Sequence, residues 1–240
     1  MKSQSNILHV WPMPAAMKLR RAFRPLLFRL WHPLHLYANR KPGRVRLGEL
    51  ELCTDPRVFN PAQHFSSRIL AEQVAQLDLK GRHVLDVGTG SGVIGLTAAR
   101  QGAEVVALDL NPYAAALAKK NALANGFRSQ FKVLCGDLLD SLYASTRFDW
   151  IIFNPPFYAR TAAGLLQAAY HAGAQNETLV RFLQHAPAFL APGGKILMIL
   201  SSDMNAAEMR HLLARQPCAI MDVEIKPHFF EVFYFVQLAK

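Results

Sequence analysis

The chain is poor in cysteine, lacks any long apolar run, and carries no acidic side chain in its first 48 residues. Cys53, Cys135 and Cys218 are its three cysteines, and none stands at a spacing that suits a metal site or a redox pair. That excludes a disulfide framework and points to a reducing compartment, so a cytoplasmic location is expected. No stretch reaches the roughly 18 uncharged apolar residues that a membrane-spanning helix needs. Internal repeats and low-complexity tracts are also missing, which removes solenoids and fibrous arrays. What remains is 240 residues, 51% of them hydrophobic, enough for one large α/β core with a small appendage.

The missing acids locate the charge. Residues 1–48 contain Lys2, Lys18, Arg20, Arg21, Arg24, Arg29, Arg40, Lys41, Arg44 and Arg46, while the other 17 basic residues are matched by all 17 acidic ones. The net charge of +10 therefore belongs to an N-terminal arm and not to the body. If residues 16–31 are helical, Leu19, Ala22, Phe23, Leu26, Leu27 and Leu30 share one face and most of the arginines the other, with a kink at Pro25. Such an arm can dock on the body, lie peripherally on an anionic membrane, or contact the phosphates of RNA. The division expected is a basic amphipathic arm over residues 1–44 and a single α/β domain over 45–240.

From Val45 to Cys53 the residues alternate around Gly48 and read as a short hairpin. Ser66 or Ser67 can cap a helix that runs to about Leu79. Beyond His83, strands near 83–87, 104–108, 131–135, 148–153 and 195–200 alternate with helices near 92–101, 112–124, 161–171, 177–190 and 204–215. That alternation predicts a Rossmann-like, mostly parallel sheet of seven strands covered on both faces. The last two strands, near 220–225 and 229–238, are joined by Lys226-Pro227-His228 alone, a link short enough only for an antiparallel pair.

Two motifs carry the chemistry. In Asp86-Val87-Gly88-Thr89-Gly90-Ser91-Gly92 a strand passes into a helix through three glycines, the place where such a sheet holds a nucleotide-type cofactor. A dinucleotide fingerprint can be fitted over Gly90–Gly95, yet Asp86 argues against it. A carboxylate there repels a pyrophosphate but accepts from an amino group, so a sulfonium cofactor bearing an ammonium and no phosphate fits better. Asp109, at the end of the next strand, can take both ribose hydroxyls, and Asp137 in Gly136-Asp137 can accept from an adenine amine or cap a helix. Asn111 is expected to cap the following helix, with Pro112 at its first position.

The second motif is Asn154-Pro155-Pro156-Phe157, which follows the apolar strand Trp150–Phe153. Two prolines remove two backbone donors and stiffen the chain, and Asn154 must be extended because it precedes a proline. The resulting ledge presents one side-chain amide, carbonyls without local donors and an aromatic ring. It suits a planar group bearing N–H donors.

Together these residues resemble a class I S-adenosylmethionine-dependent methyltransferase. Asp86-x-Gly88-x-Gly90-x-Gly92, Asp109, Gly136-Asp137 and Asn154-Pro155-Pro156-Phe157 stand in that family's order, over roughly Val45 to Leu238. Within it, the chain is similar to the small-domain group of release-factor glutamine methyltransferases and amino-directed adenine and guanine methyltransferases. Glutamine enzymes usually carry tyrosine where this chain has Phe157. The resemblance implies S-adenosylmethionine as cofactor, held by Asp86, Gly88, Gly90, Gly92, Asp109, Asp137 and Asn154. It implies catalysis by Asn154, Pro155 and Phe157 on a protein glutamine or a nucleobase amine. Two other readings stand beside it: a small-molecule or lipid acceptor at a membrane surface, and a non-catalytic nucleic-acid-binding protein on the same scaffold.

Overall fold

The computed structural model describes residues 41–62, 65–157, 176–229 and 231–240. The expected arm helix and the helix near 161–171 lie outside these residues. So do His64, Tyr158, Tyr170 and His171, residues that could line an acceptor pocket but for which ordinary surface or core packing is the expectation.

A hairpin of β1 (Gly43–Leu47) and β2 (Leu50–Thr54) precedes helix α1 (Phe65–Val74). Then come β3 (His83–Val87), α2 (Val93–Arg100), β4 (Glu104–Asp109), α3 (Pro112–Ala124), β5 (Phe131–Cys135) and β6 (Phe148–Phe153). Helix α4 (Glu177–His185) leads through a 3-10 turn, Ala186–Phe189, into β7 (Leu190–Ser201). Helix α5 (Ala206–Arg215), β8 (Ala219–His228) and β9 (Glu231–Ala239) complete the chain. The sheet order is β5-β4-β3-β6-β7-β9-β8, with β9 antiparallel to both neighbours.

Both faces of the sheet are covered, and the alternation along its strands shows it. In β7, Ile196, Met198 and Leu200 enter one core cluster while Leu197 and Ile199 enter the other. In β9, Val232, Tyr234 and Val236 face the first cluster and Phe233 and Phe235 the second. Each such apolar side chain contributes about 1.5–3 kcal/mol on burial, so the strands stabilise the fold from both faces.

Four expectations change. Helix α1 spans Phe65–Val74, so Ser66 and Ser67 lie inside its first turn and do not cap it. The helix expected over 177–190 stops at His185, because Pro187 cannot continue the ladder. The strand expected at 195–200 begins five residues earlier, at Leu190, but its register shifts before Lys195, so that residues 191–194 lie opposite Asp149 alone and Gly193 has a φ of 74°. The last hairpin is tighter than expected, because β8 extends through Lys226-Pro227-His228.

The small hairpin is held by an amide ladder. Asn121, fully buried on α3, accepts from the Cys53 N–H at 2.8 Å and donates to the Cys53 carbonyl at 3.1 Å. One turn later, Asn125 repeats the pattern with Glu51, at 3.1 and 2.8 Å. These side chains satisfy the exposed edge of β2 as a neighbouring strand would. Asn121 also donates to the Ser91 carbonyl at 2.8 Å, which ties the hairpin to the glycine loop.

Candidate active site

Strands β3 and β6 are parallel neighbours, and their ends pair Val87 with Phe153. The glycine loop and the Asn154 ledge therefore leave the same end of the sheet side by side. This is also where strand order reverses, the crevice in which open α/β sheets bind ligands.

The loop is closed by its own carboxylate. Asp86 is fully buried, and its Oδ2 accepts from Thr89 Oγ1 at 2.6 Å and from the Gly95 N–H at 2.9 Å. Gly95 lies in the first turn of α2, so Asp86 does the work of a helix cap that Gly92, the N-cap residue, cannot do. A Cβ on Gly95 would sit 2.9 Å from the Phe131 ring and 3.0 Å from Asp86 Oδ2, so this approach requires glycine. Gly92 has φ of 88°, and a Cβ there would press on Ala118 at 3.3 Å. Gly88 and Gly90 also have positive φ.

Burial, with the Asp109 charge as a smaller contribution, pushes the Asp86 carboxyl up to about 7, against the hydrogen bonds from Thr89 and Gly95. Asp109 accepts from the Gly90 N–H at 2.8 Å and from the Asn111 N–H at 2.9 Å, one bond on each oxygen. Its pKa is raised by burial, with both hydrogen bonds opposing. Each oxygen keeps a second lone pair for a hydroxyl donor. Asn111 accepts from the Tyr113 N–H at 3.0 Å as the cap of α3 and donates to the Arg57 carbonyl at 2.8 Å.

Asp137 has a partner that the sequence does not suggest. Its Oδ2 accepts from Arg181 Nη1 at 2.9 Å, and the same guanidinium reaches Asp140 at 2.9 Å. The carboxylate is half exposed and tethers the loop after β5 to α4, so an adenine amine would have to share it with Arg181. Asp137 caps no helix; the Asp140 N–H closes a turn on its carbonyl.

The ledge is anchored from across the chain. Asn154 Nδ2 donates to Ser67 Oγ at 2.9 Å and Ser66 Oγ at 3.2 Å, partners 87 and 88 residues away. Both serines are buried. Asn154 Oδ1 is buried with no hydrogen-bond partner among the described residues, and so is Asp86 Oδ1. Leaving such an acceptor unmade costs about 1–3 kcal/mol, so each oxygen marks a place for a donor. Pro155 and Pro156 are buried, and Phe157, half-buried, packs against both core clusters. Its ring lies 6.4 Å from that of Phe233.

Sequence reasoning missed Ser66 and Ser67 as partners of Asn154, and Arg181 as the partner of Asp137. The two serines looked like helix caps, and nothing local distinguishes a capping hydroxyl from one turned to a distant amide. The orphaned Asp86 oxygen tests the cofactor: a cationic, phosphate-free ligand satisfies it and a pyrophosphate does not, so the residues fit a sulfonium cofactor with an ammonium group.

The doubly covered sheet with reversed β9, and a carboxylate-closed glycine loop beside a proline ledge, define an S-adenosylmethionine-type methyltransferase scaffold. Comparison with known proteins agrees. The methyltransferase small domain family matches residues 49–221, and the chain belongs to that family. Its cofactor is S-adenosylmethionine. A release factor glutamine methyltransferase of Deinococcus radiodurans is 33% identical over 203 residues, covering 76% of this chain and 71% of that protein. A tRNA1(Val) (adenine(37)-N6)-methyltransferase of Porphyromonas gingivalis is 32% identical over 168 residues, 61% of each chain. Among solved structures, a 16S rRNA methyltransferase of T. thermophilus, in complex with AdoMet and guanosine, superposes with a TM-score of 0.59 at 24% identity, over 82% of this chain and 50% of that one. The last likeness concerns the fold. The chain thus spans less than two thirds of the length of the tRNA enzyme and half of the rRNA enzyme.

Proposed function

We propose that this protein methylates a planar nitrogen bearing two hydrogens, a protein glutamine amide or the exocyclic amine of a nucleobase. One observation carries the reading. Asn154 commits its nitrogen to Ser66 and Ser67 and keeps a buried oxygen without a partner among the described residues. That oxygen and the Pro155 carbonyl would accept the two protons of the acceptor nitrogen. A conjugated nitrogen is a poor nucleophile because its lone pair is delocalised; holding both N–H bonds in plane turns the lone pair outward. Positive charge growing on nitrogen strengthens both hydrogen bonds, so they favour the transition state over the ground state. S-adenosylmethionine, when bound, supplies a sulfonium methyl for in-line displacement and leaves as a neutral sulfide. Asp86 Oδ1 and Asp109 would hold its ammonium and ribose ends, and Phe157 would wall the acceptor plane. The methylated nitrogen is a strongly acidic cation until it loses one of its two protons, which passes to water as the product leaves, so no strong base is required at the ledge.

The membrane and RNA destinations of the basic segment 1–48, and a cytoplasmic location with peripheral membrane contact, belong to the same proposal. Among the described residues no helix is long and apolar enough to cross a membrane. The experiment is transfer of labelled methyl to cell lysate fractionated into protein, RNA, DNA and lipid, with Asn154→Ala as control. Label in protein or nucleic acid that the variant fails to deposit supports the reading. Label in lipid, or label that survives Asn154→Ala, overturns it.

A further inference from the structure

An aromatic path leads from the ledge to the surface. Phe157 lies 6.4 Å from Phe233, whose ring is 6.3 Å from His228. His228 in turn is 4.2 Å from Phe65 and 4.7 Å from Phe229, and those last two are 6.0 Å apart. Phe65 directly precedes Ser66, one of the hydroxyls that holds Asn154. The inner rings are structural, because Phe233 is buried and Phe157 packs into the core. The outer rings are not: Phe65 is 45% exposed and Phe229 64%.

The conformation at Phe229 makes the exposure harder to dismiss as ordinary surface. Its φ is 38°, in the left-handed region, at the tip of the β8–β9 hairpin. A bulky residue there costs about 1–3 kcal/mol, and a ring left mostly in water recovers little of it. Glycine or asparagine would close this turn without strain. Folding alone does not explain a strained, exposed phenylalanine that completes an aromatic cluster beside a candidate acceptor site. Burial and the nearby Arg68, against the opposing charge of Glu72, hold the His228 pKa below its ordinary value, so the ring joins the cluster uncharged.

We infer that Phe65, His228 and Phe229 form a stacking surface for the unpaired bases that flank the target base of a single-stranded nucleic acid. The inference rests on the nitrogen-methylation reading above and takes its nucleobase branch. The patch offers ring faces, which every base matches and few amino-acid side chains do. The chain's charge agrees, with a net +10 and no acid among the first 48 residues.

The test is fluorescence anisotropy of a fluorescein-labelled twelve-residue oligoadenylate RNA on the full chain, saturated with S-adenosylhomocysteine, across a salt series. The wild type is expected to bind with strong salt dependence. Phe65→Ala/Phe229→Ala is expected to bind about tenfold more weakly with an unchanged salt slope, because stacking and not charge is lost. Phe65→Trp/Phe229→Trp is expected to restore binding. Phe229→Gly separates the role from folding: it relieves the strained turn, so Tm should hold or rise while RNA affinity falls.

Equal affinity of the alanine variant and the wild type overturns the inference. So does absence of oligomer binding by the wild type at low salt, or a ring-dependent preference for a glutamine-bearing peptide over the RNA. In the lysate assay, label confined to protein also overturns it and leaves nitrogen methylation standing. No label in any fraction, with ring-dependent RNA binding intact, removes the methylation reading and leaves the stacking surface in place.

Discussion

The two halves of the site are built in opposite ways. On the cofactor side, Asp86, Thr89, Gly90, Gly95 and Asp109 close on one another within a short stretch of chain, and backbone N–H groups make most of the bonds. On the acceptor side, Asn154 is held by hydroxyls 87 and 88 residues away, and the rings of Phe65, His228 and Phe229 meet from α1 and the last hairpin. The first half is a local motif that any chain can carry whole. The second is an assembly of distant pieces, each free to vary. That difference is the physical counterpart of a family whose members share a cofactor and differ in acceptor.

Substitutions can break the comparison, and the largest effect belongs to Asn154. Asn154→Ala should lower kcat by about 10²–10³-fold, the scale of removing one transition-state hydrogen-bond partner, while the S-adenosylhomocysteine Kd changes less than about threefold. Steady-state kinetics beside calorimetry would check it. Loss of cofactor binding would mean that the two halves are not separable.

The Asp86 carboxyl gives the next largest effect. Its pKa is near 7 folded against 3.8 for an unperturbed aspartate, so between those values the folded chain holds a proton the unfolded chain has released. Its contribution to stability is therefore fully present below about pH 4, is lost as pH rises toward 7, and is flat above. The total is on the order of a few kcal/mol, and Asp86→Asn should remove that slope. Urea denaturation at several pH values would show it. A cationic ligand favours the ionised form, so cofactor binding near pH 6 should release protons, visible as buffer-dependent heats.

Gly95→Ala should cost about 1–3 kcal/mol through overpacking and weaken the cofactor, because the new methyl meets Phe131 and Asp86 together. Thermal melts with and without S-adenosylhomocysteine separate the two losses. The smallest effects belong to the serines. Ser66→Ala or Ser67→Ala should each cost about 1 kcal/mol of transition-state stabilisation, roughly fivefold in kcat/KM, with cofactor affinity unchanged. The double variant should approach Asn154→Ala if the hydroxyls act only by orienting the amide.

Most of the fold was legible in the order of strands and helices, since alternation of apolar runs with amphipathic segments leaves few alternatives for a parallel sheet. Boundaries drifted where local signals conflict, as at Pro187, which ended α4 early, and at Ser66 and Ser67, whose hydroxyls served a distant amide. The glycine loop, Asp109 and the ledge could be read as positions. Their bonds could not: Asp86 looked like a ligand-facing acid and proved to be half cap, and Asp137 proved to be tied to Arg181.

By itself the sequence determined that a flexible, donor-rich loop and a stiff, donor-free ledge follow two strands, because glycine and proline impose those properties wherever they fall. Only the tertiary structure decided that those strands are neighbours, that two serines take the Asn154 amide nitrogen, and that three rings gather beside it. Those outcomes depend on which segments the sheet order brings together, and contacts between residues 88 apart leave no periodic trace along the chain.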